Sequence, residues 1–424
     1  MEKEKEKNKD KNILIRNRKL NERIKRELKP KILAKGKPDF WFIALVALLA
    51  VFGIIMLFSA SAPIALSESG NSFSYLSKQI KATIVGLIMC VTLACIDYRI
   101  LNNKLVRFIC IIFVFSSPFI IKFFGYEANF AKRWIKIGSF SLQLSEFVKM
   151  FLIILLSSYF AKITEEGKLD SFYKTVFIPA CYVLIPAFFI FKFENHFSSA
   201  IVLTFISVVI MFTAGLKWKY VLLGLIGGGS AAIYVLKNVF FTGDAGFRST
   251  RIKTFLDPWN DPTGQGYQIT QSLMAIGSGG LLGRGIGQSI QKKKYLPYAQ
   301  NDFIFAIVAE EVGLLGALAL IIAFFLLIFF TWRIASRSKD VFGKLIASGI
   351  AAFYIIQIFV NIAVAIGLVP VTGMSLPFFS SGGTSIMVTY ISVGLLISIS
   401  RINDYTSYVY RKNMASIKEL NEEK

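Results

Sequence analysis

Long apolar segments limit the folds open to this chain more than any other feature of its sequence. Ten of them have roughly the 20 residues that an α-helix needs to cross a bilayer. Of the 424 residues, 54% are hydrophobic and only 17% are charged, which is too apolar for a soluble globule of this size. We therefore expect an all-α integral membrane protein with about ten transmembrane helices. The predicted spans cover residues 40–62, 79–97, 106–125, 143–163, 172–191, 198–215, 219–240, 303–332, 344–369 and 383–401.

An even number of spans places both chain ends on one side of the membrane, and basic loops indicate which side. Cytoplasmic loops carry an excess of Lys and Arg. The loops on the side of the chain ends contain Arg99, Lys104, Lys217, Lys219, Arg333, Arg337 and Lys339. Both termini are therefore predicted to be cytoplasmic. The 241–302 loop between spans seven and eight is then extracytoplasmic, and at about 60 residues it is too long to lack structure.

The net charge of +22 is concentrated at the start of the chain. Residues 1–38 hold 15 Lys and Arg against 6 Asp and Glu, a net +9. A basic segment with few apolar residues next to a membrane is typical of a disordered arm beside anionic lipids, and we predict no nucleic-acid partner. The sequence thus divides into a basic disordered cytoplasmic arm (1–39), a ten-helix membrane domain (40–403) and a cytoplasmic tail (404–424).

Two segments that are predicted to lie outside the cell are also basic. Residues 125–142 contain Lys132, Arg133 and Lys136, and residues 241–301 hold seven Lys and Arg against three Asp. One explanation is that long loops cross membranes regardless of their charge. The other is an anionic substrate at the outer membrane surface, which suits the short 125–142 segment better.

Six glycines lie close together in the large loop, between residues 277 and 287. Such a density of glycine lets the backbone approach a ligand closely or adopt positive φ angles. No Lys-Ser/Thr pair follows the glycines and no strand precedes them, so the pattern is neither a Walker A loop nor a dinucleotide fingerprint.

Asp302 stands where this loop enters span eight, and two roles are open to it. A carboxylate at a membrane boundary beside Phe303 and Phe305 suits a general base. Asp is also a favoured helix N-cap, and an apolar helix is predicted directly after it. Glu310 and Glu311 lie deeper in the same span, where a structural pair with Lys or Arg is the simpler interpretation.

Other polar side chains inside the apolar spans indicate a polar cavity. Glu146 and Lys149 are three residues apart on one face of span four, either as an ion pair or with separate partners. A cavity is favoured because a pair that faces lipid is costly. Gln357 and Asn361 precede a stretch rich in Pro, Gly and Ser, and irregular backbone at that depth must be buried or line a cavity.

Five segments in a fixed order resemble the SEDS family (shape, elongation, division and sporulation), which includes RodA, FtsW and SpoVE. They are Ser59–Ser61, AKRWIKIGSFSLQLSEFVKM, FLDPWNDPTGQGYQITQSLMAIGSGGLLGRGIGQS, YLPYAQNDFIFAIVAEEVGLLG and the segment 357–385. The resemblance covers about residues 40–403. The Gln288–Lys292 run and the Tyr-Leu-Pro after it are more similar to FtsW or SpoVE than to RodA.

The resemblance implies a glycosyltransferase that polymerises lipid II, the lipid-linked peptidoglycan precursor, outside the bacterial cytoplasmic membrane at the division septum. Asp302 matches the family's essential aspartate, which activates the acceptor sugar hydroxyl or helps to hold a divalent cation, Mg²⁺ or Mn²⁺. No organic cofactor is implied. Arg133, Glu146 and Lys149 match positions that line the central cavity. We expect further substrate contacts from Arg248, Arg251, Gln268, Gln271, Ser272, Lys292, Gln357, Asn361, Ser380 and Ser385.

The resemblance also implies partners: a class B penicillin-binding transpeptidase, other division proteins and membrane lipids. A RodA-like elongation polymerase is the nearest alternative. A ten-helix bundle with charges across its midplane is also compatible with a lipid II flippase. A third class, a scaffold for division proteins, would tolerate loss of Asp302. The reaction product separates the first two classes, because a polymerase makes long glycans whereas a flippase changes only the leaflet.

Overall fold

Helices make up most of the chain in the computed structural model, which describes residues 22–24, 26–128, 131–138, 140–194, 197–220, 255–260, 264 and 266–422. They are α1 (Phe40–Ser69), α2 (Ser74–Cys95), α3 (Lys104–Phe124), α4 (Leu144–Glu165), α5 (Ile178–Glu194), α6 (Phe197–Thr213), α7 (Tyr267–Ser278), α8 (Ile304–Arg337), α9 (Val341–Ala365) and α10 (Gly383–Glu422). A short 3-10 helix (Tyr98–Leu101) precedes α3, and a π-helical turn (Tyr173–Phe177) precedes α5.

Eight helices among the described residues are long and apolar enough to cross a membrane. They are α1 to α5, α8, α9 and α10, with α5 extended by its π-helical turn. α6, at the sixth predicted span, has 17 residues and is about 26 Å long. The seventh predicted span, 219–240, lies almost entirely outside the described residues. The prediction of a helical, multi-pass membrane protein is confirmed.

Three helices, α4, α9 and α10, form the interior of the bundle. In their apolar windows 67%, 72% and 83% of the residues are buried, against 28–39% in the other five long helices. α2 lies along α10, and α9 contacts α8, α6 and α4. Polar side chains on α4 and α9 therefore have protein around them instead of lipid, as ionisable groups at membrane depth require.

A small antiparallel sheet adds β-structure that the all-α prediction missed. The strands β1 (Tyr126–Ala128), β2 (Ala131–Ile137) and β3 (Phe140–Leu142) lie in the order β1-β2-β3 between α3 and α4. The aromatic and β-branched residues of β2 favour a strand, so the sequence did contain a signal. The pairing of β1 with β2 shifts register at Arg133, because Glu127 is opposite Lys132 whereas Tyr126 is opposite Trp134, which is the pattern of a β-bulge.

The last part of the basic arm is folded, which corrects the prediction of a disordered segment up to residue 39. We call residues 29–37 the strap. The Ala34 N–H donates to the Cys95 carbonyl at 2.7 Å, and the Arg401 side chain donates to the Gly36 carbonyl at 3.2 Å. Gly36 has a φ of 94°, and a Cβ at this position would collide with the backbone of Arg401. The chain crosses α10 here because glycine permits both the angle and the close approach.

α8 is broken at Gly313, whose φ of 71° and ψ of −174° are not helical. A loop formed by residues 280–285 occupies the break. The Leu314 N–H donates to the Gly280 carbonyl at 2.9 Å, and the Arg284 N–H donates to the Glu310 carbonyl at 3.0 Å. The predicted span 303–332 is therefore a short buried helix, 304–312, followed by a membrane-length helix, 314–337.

We expect the two ends of α8 to lie on opposite sides of the membrane, with the chain ends in the cytoplasm. Lys293→Cys should be labelled from outside, and Ser336→Cys only from inside, because both side chains are exposed. The measurement is labelling of intact cells with a membrane-impermeant thiol reagent. Labelling of both positions from one side would contradict the crossing. The background lacks the native cysteines, which are Cys90, Cys95, Cys110 and Cys181.

Candidate active site

Asp302 lies in the turn before α8, beside the irregular segment 366–382 that follows α9. α8 begins at Ile304 with Phe303 in the N-cap position, and no side chain caps it. The N-cap interpretation of Asp302 is therefore wrong. A methyl group built on Gly373 would be 3.5 Å from Oδ2 of Asp302, so the half-buried carboxylate lies against this glycine.

A polar cavity with about 200 Å³ of empty space lies next to Asp302. Gly373 lines it, which places the Asp302 carboxylate at its edge. The cavity also holds an ion pair, since Lys149 Nζ donates to Glu146 Oε1 at 2.6 Å and both side chains are buried. The residues that line it are Glu146, Lys149, Ser198, Ser199, Val202, Gln357, Gly373, Met374 and Ser375.

Several polar atoms at this cavity can form hydrogen bonds with a ligand. Among the described residues, Glu146 Oε2 and Gln357 Oε1 accept no hydrogen bond. Buried polar atoms normally have a partner, so unpaired acceptors on a cavity indicate bound water or substrate. The Lys149 ammonium group has three donors, of which Glu146 uses one. The cavity therefore combines a cation and hydrogen-bonding groups beside a carboxylate that can take a proton.

Asn361 and Ser380 hold the backbone around Asp302. Asn361 Nδ2 donates to the Asp302 carbonyl at 3.0 Å and to the Met374 carbonyl at 2.6 Å. Ser380 Oγ donates to the Asn301 carbonyl at 2.7 Å. Both side chains were predicted to bind substrate, and the structure shows them joining the Asp302 turn to the 366–382 segment.

Two residues with a left-handed backbone lie close to the contact between the Asp302 turn and the 366–382 segment. Tyr298 has a φ of 56° and Phe378 a φ of 68°. Such angles are costly for residues with a Cβ and persist only where surrounding contacts fix them. The Ser381 N–H donates to the Gln300 carbonyl at 2.8 Å, which is one of those contacts. The two segments are therefore held in one defined arrangement around Asp302.

Arg133 joins the sheet to the end of α5. Its Nε donates to the Glu194 carbonyl at 2.9 Å, and the guanidinium is half-buried. Glu194 is buried within electrostatic range of Glu146 and Lys149, so Arg133 lies near the cavity without lining it. Glu194, Ser198 and Ser199 were not predicted to be site residues, because a lone acidic residue and two serines at a helix boundary carry no distinctive signal.

Glu310 and Glu311 form a buried network with the end of the large loop, and neither of them lines the cavity. Glu311 Oε1 accepts from Lys292 Nζ at 2.7 Å, and its carboxylate also accepts from Ser59 Oγ at 2.7 Å. Glu310 accepts from the Ile290 N–H at 2.9 Å. The pair of Glu311 with Lys292 is the structural pairing with Lys or Arg that was the simpler interpretation of these carboxylates. A side chain at Gly283 would collide with the backbone of Glu311, so glycine here permits approach to the protein's own helix.

The other predicted substrate-binding residues lie at varied distances from this cavity. Ser272 Oγ donates to the Ala365 carbonyl at 2.7 Å and joins α7 to α9. Ser385 is hydrogen-bonded to Ser375, which lines the cavity. Gln268 and Gln271 are half-buried on α7. Arg248 and Arg251 lie outside the described residues. For all of these residues, contact with substrate remains a prediction.

The predicted divalent cation has no complete protein site in the described part of the chain. No three His, Cys, Asp or Glu side chains come together there. Mg²⁺ is commonly held by one or two carboxylates together with substrate phosphates. Asp302 alone fits that second arrangement, with a diphosphate supplying the remaining oxygens.

The fold and the site define a multi-pass membrane protein with a carboxylate at the edge of a polar intramembrane cavity. A family model described as "Cell cycle protein", for FtsW, RodA and SpoVE, matches residues 40–405. The chain belongs to this family. The resemblance recognised from the sequence motifs is therefore confirmed.

Named relatives and solved structures agree with the family. The chain is 37% identical to stage V sporulation protein E of Bacillus subtilis, over 88% of this chain and 99% of that protein. It is 34% identical to a probable peptidoglycan glycosyltransferase FtsW of Geobacter sulfurreducens, over 85% and 95%. A chain of a peptidoglycan synthase complex, described as coordinating polymerisation and crosslinking, matches with a TM-score of 0.70 and 27% identity, over 86% and 98%. RodA of Thermus thermophilus has the same fold, with a TM-score of 0.60 and 24% identity over 86% and 97%.

Proposed function

We propose that this protein polymerises lipid II into glycan strands at the outer face of the bacterial cytoplasmic membrane during cell division. The family and its relatives named as peptidoglycan glycosyltransferases make the chain an enzyme of that class. The observation that carries the reaction is the Asp302 carboxylate at the edge of a cavity that contains the Lys149 cation.

In the proposed reaction, Asp302 takes the proton from the acceptor's sugar hydroxyl as that oxygen attacks the anomeric carbon of the donor. The bond between the anomeric carbon and the diphosphate breaks, and polyprenyl diphosphate leaves with the electron pair. Lys149 and Arg133 supply the positive charge that stabilises the leaving diphosphate, since cations placed where negative charge develops favour the transition state. Asn361 and Ser380 fix the backbone that carries Asp302.

We prefer the polymerase to the flippase because several relatives are named as probable peptidoglycan glycosyltransferases. A polymerase also needs a general base, and the Asp302 carboxylate at the edge of the cavity can supply one.

The proposal includes two partners and a location. A class B penicillin-binding transpeptidase is proposed to bind in the membrane, in keeping with the synthase complex whose chain shares this fold. A divalent cation, Mg²⁺ or Mn²⁺, is proposed to act with the substrate diphosphate and Asp302. The relatives named FtsW support a place at the division septum, with the RodA-like elongation role as the alternative.

We expect the purified full-length protein to convert lipid II and Mg²⁺ into glycan polymer, measured by gel separation of the labelled product. The Asp302→Asn protein, purified in parallel, controls for contaminating polymerases. Absence of polymer from the wild type, together with transfer of lipid II between the leaflets of liposomes, would support the flippase and contradict the proposal.

A further inference from the structure

The strap is fixed against the membrane domain, so the side chains that it carries have defined positions. The Asp97 N–H donates to the Ile32 carbonyl at 3.1 Å, and the Lys37 N–H donates to Asp404 Oδ2 at 2.9 Å. The strap also contacts Cys95 and Arg401, as described above. A ligand that binds here does not have to order the backbone first, which removes part of the entropic cost of binding.

One face of the strap forms a shallow basic pocket with about 170 Å³ of empty space. Three lysines of the strap line the pocket. The pocket is completed by Asp97, by the 3-10 helix that follows it and by α10. Its lining residues are Lys29, Lys31, Leu33, Lys35, Asp97, Arg99, Ile402 and Tyr405.

The charge of this pocket is positive and uncompensated. Arg99 and Asp97 neutralise each other in a two-point contact, with Arg99 Nε 3.0 Å from Oδ1 and NH2 2.7 Å from Oδ2. Lys29, Lys31 and Lys35 form no salt bridge with any carboxylate in the described ranges, and Lys35 lies over the Tyr405 ring. Three lysines facing one pocket favour an anion with several acceptor oxygens.

The surroundings of the pocket place it at the membrane surface. Phe40 and Trp41 begin α1 five residues after the pocket and are 70% and 67% exposed, and Trp is enriched where helices enter the interface. Ile32 and Leu33 are 78% and 64% exposed beside the lysines. Exposed apolar side chains next to a basic pocket suit a ligand with both a phosphate and hydrocarbon.

We propose that the strap and its pocket bind the phosphate headgroup of an anionic phospholipid, with Ile32 and Leu33 against the acyl chains. Lys29, Lys31 and Lys35 hold the headgroup oxygens. The site lies at the end of the bundle where the strap and α10 meet, on the side predicted to be cytoplasmic. It is separate from the cavity beside Asp302 and does not depend on the proposed reaction.

The experiment titrates purified full-length protein with phosphatidylglycerol, phosphatidylcholine or inorganic phosphate and follows the melting temperature. We expect stabilisation by phosphatidylglycerol alone. Replacing all three pocket lysines with Gln should lower the apparent affinity for this lipid roughly a hundredfold, about fivefold for each lysine, because each Lys near an anionic surface contributes about 1 kcal/mol. The variant is Lys29→Gln/Lys31→Gln/Lys35→Gln.

A matched control removes three exposed lysines that lie outside the pocket on the same side of the bundle. It is Lys104→Gln/Lys344→Gln/Lys412→Gln, with the same change of charge. We expect its affinity to fall less than threefold. If the two variants lost equal affinity for phosphatidylglycerol, general attraction between charges would explain the binding, and the proposed site would be contradicted. Equal stabilisation by phosphatidylcholine, or by inorganic phosphate, would also overturn it.

A second variant tests the apolar half of the proposal while keeping every lysine. Ile32→Ser/Leu33→Ser should weaken the binding of phosphatidylglycerol at least threefold, because less hydrocarbon is covered. Unchanged affinity in this variant would contradict the placement of the acyl chains. A melting temperature close to that of the wild type in the absence of lipid shows that each variant has folded.

Discussion

Asp302→Asn is expected to lower the rate of glycan polymerisation about a hundred- to ten-thousandfold, the usual contribution of a general base, while the protein remains folded. The amide is nearly isosteric with the carboxylate but cannot take the hydroxyl proton. The fold should persist because Asn361 holds Asp302 through its backbone carbonyl and the side chain caps no helix. Polymer formation, lipid II binding and melting temperature are measured on the same preparations.

Asp340→Asn is the matched control, because Asp340 is a helix cap in this chain. Its Oδ2 accepts from the Gly343 N–H at 3.0 Å at the start of α9. Asn caps a helix as well as Asp does, so activity and melting temperature should stay close to wild type. Wild-type polymerisation by Asp302→Asn would contradict the general-base role. Normal division of cells that carry Asp302→Asn would favour the scaffold.

Lys149→Met should reduce polymerisation a hundredfold or more, because removing a group that stabilises transition-state charge typically costs about that much. The same change leaves Glu146 buried without its counter-ion, and a broken buried pair costs roughly 3–5 kcal/mol of stability. The two effects must be separated by measuring rate and melting temperature together.

The double variant Glu146→Gln/Lys149→Met separates them, since it removes both charges from the cavity. We expect it to recover most of the lost melting temperature and none of the lost activity. Recovery of activity in the double variant would show that Lys149 acts only by neutralising Glu146. If Lys149→Met polymerised lipid II at the wild-type rate, a role for the cavity in the reaction would be contradicted.

Most of the membrane-length helices and part of the candidate site were predictable, because both depend on the free-energy cost of placing local polar or charged groups in lipid. Twenty apolar residues have few alternatives to crossing a membrane, and an ionisable group among them must face protein or water. Glu146 and Lys149 were selected from the sequence in this way, and both line one cavity. Asp302 was selected by its position at the membrane boundary and by the family resemblance, and it lies at the edge of the same cavity. The neighbours that line the cavity with them could not be predicted.

Contacts between distant segments were not predictable from one sequence. Asn361 and Ser380 were selected as polar residues in broken backbone, but their partners lie some 60 and 80 residues earlier in the chain. The fold of the strap was missed because its composition is that of a disordered arm. The strap is ordered by its contacts with α2 and α10, and amino-acid composition does not indicate such contacts.

The break at Gly313 divides α8 into a part that is long enough to cross the membrane and a part whose position depends on other segments. The 314–337 helix has 24 residues and is about 36 Å long, so it crosses a bilayer without help. The 304–312 helix carries Glu310 and Glu311, which need the loop that ends at Lys292 and, from the start of the bundle, Ser59. Insertion of the 314–337 helix alone therefore does not provide the contacts that position Asp302. Those contacts come from Asn361 on α9 and from the 366–382 segment.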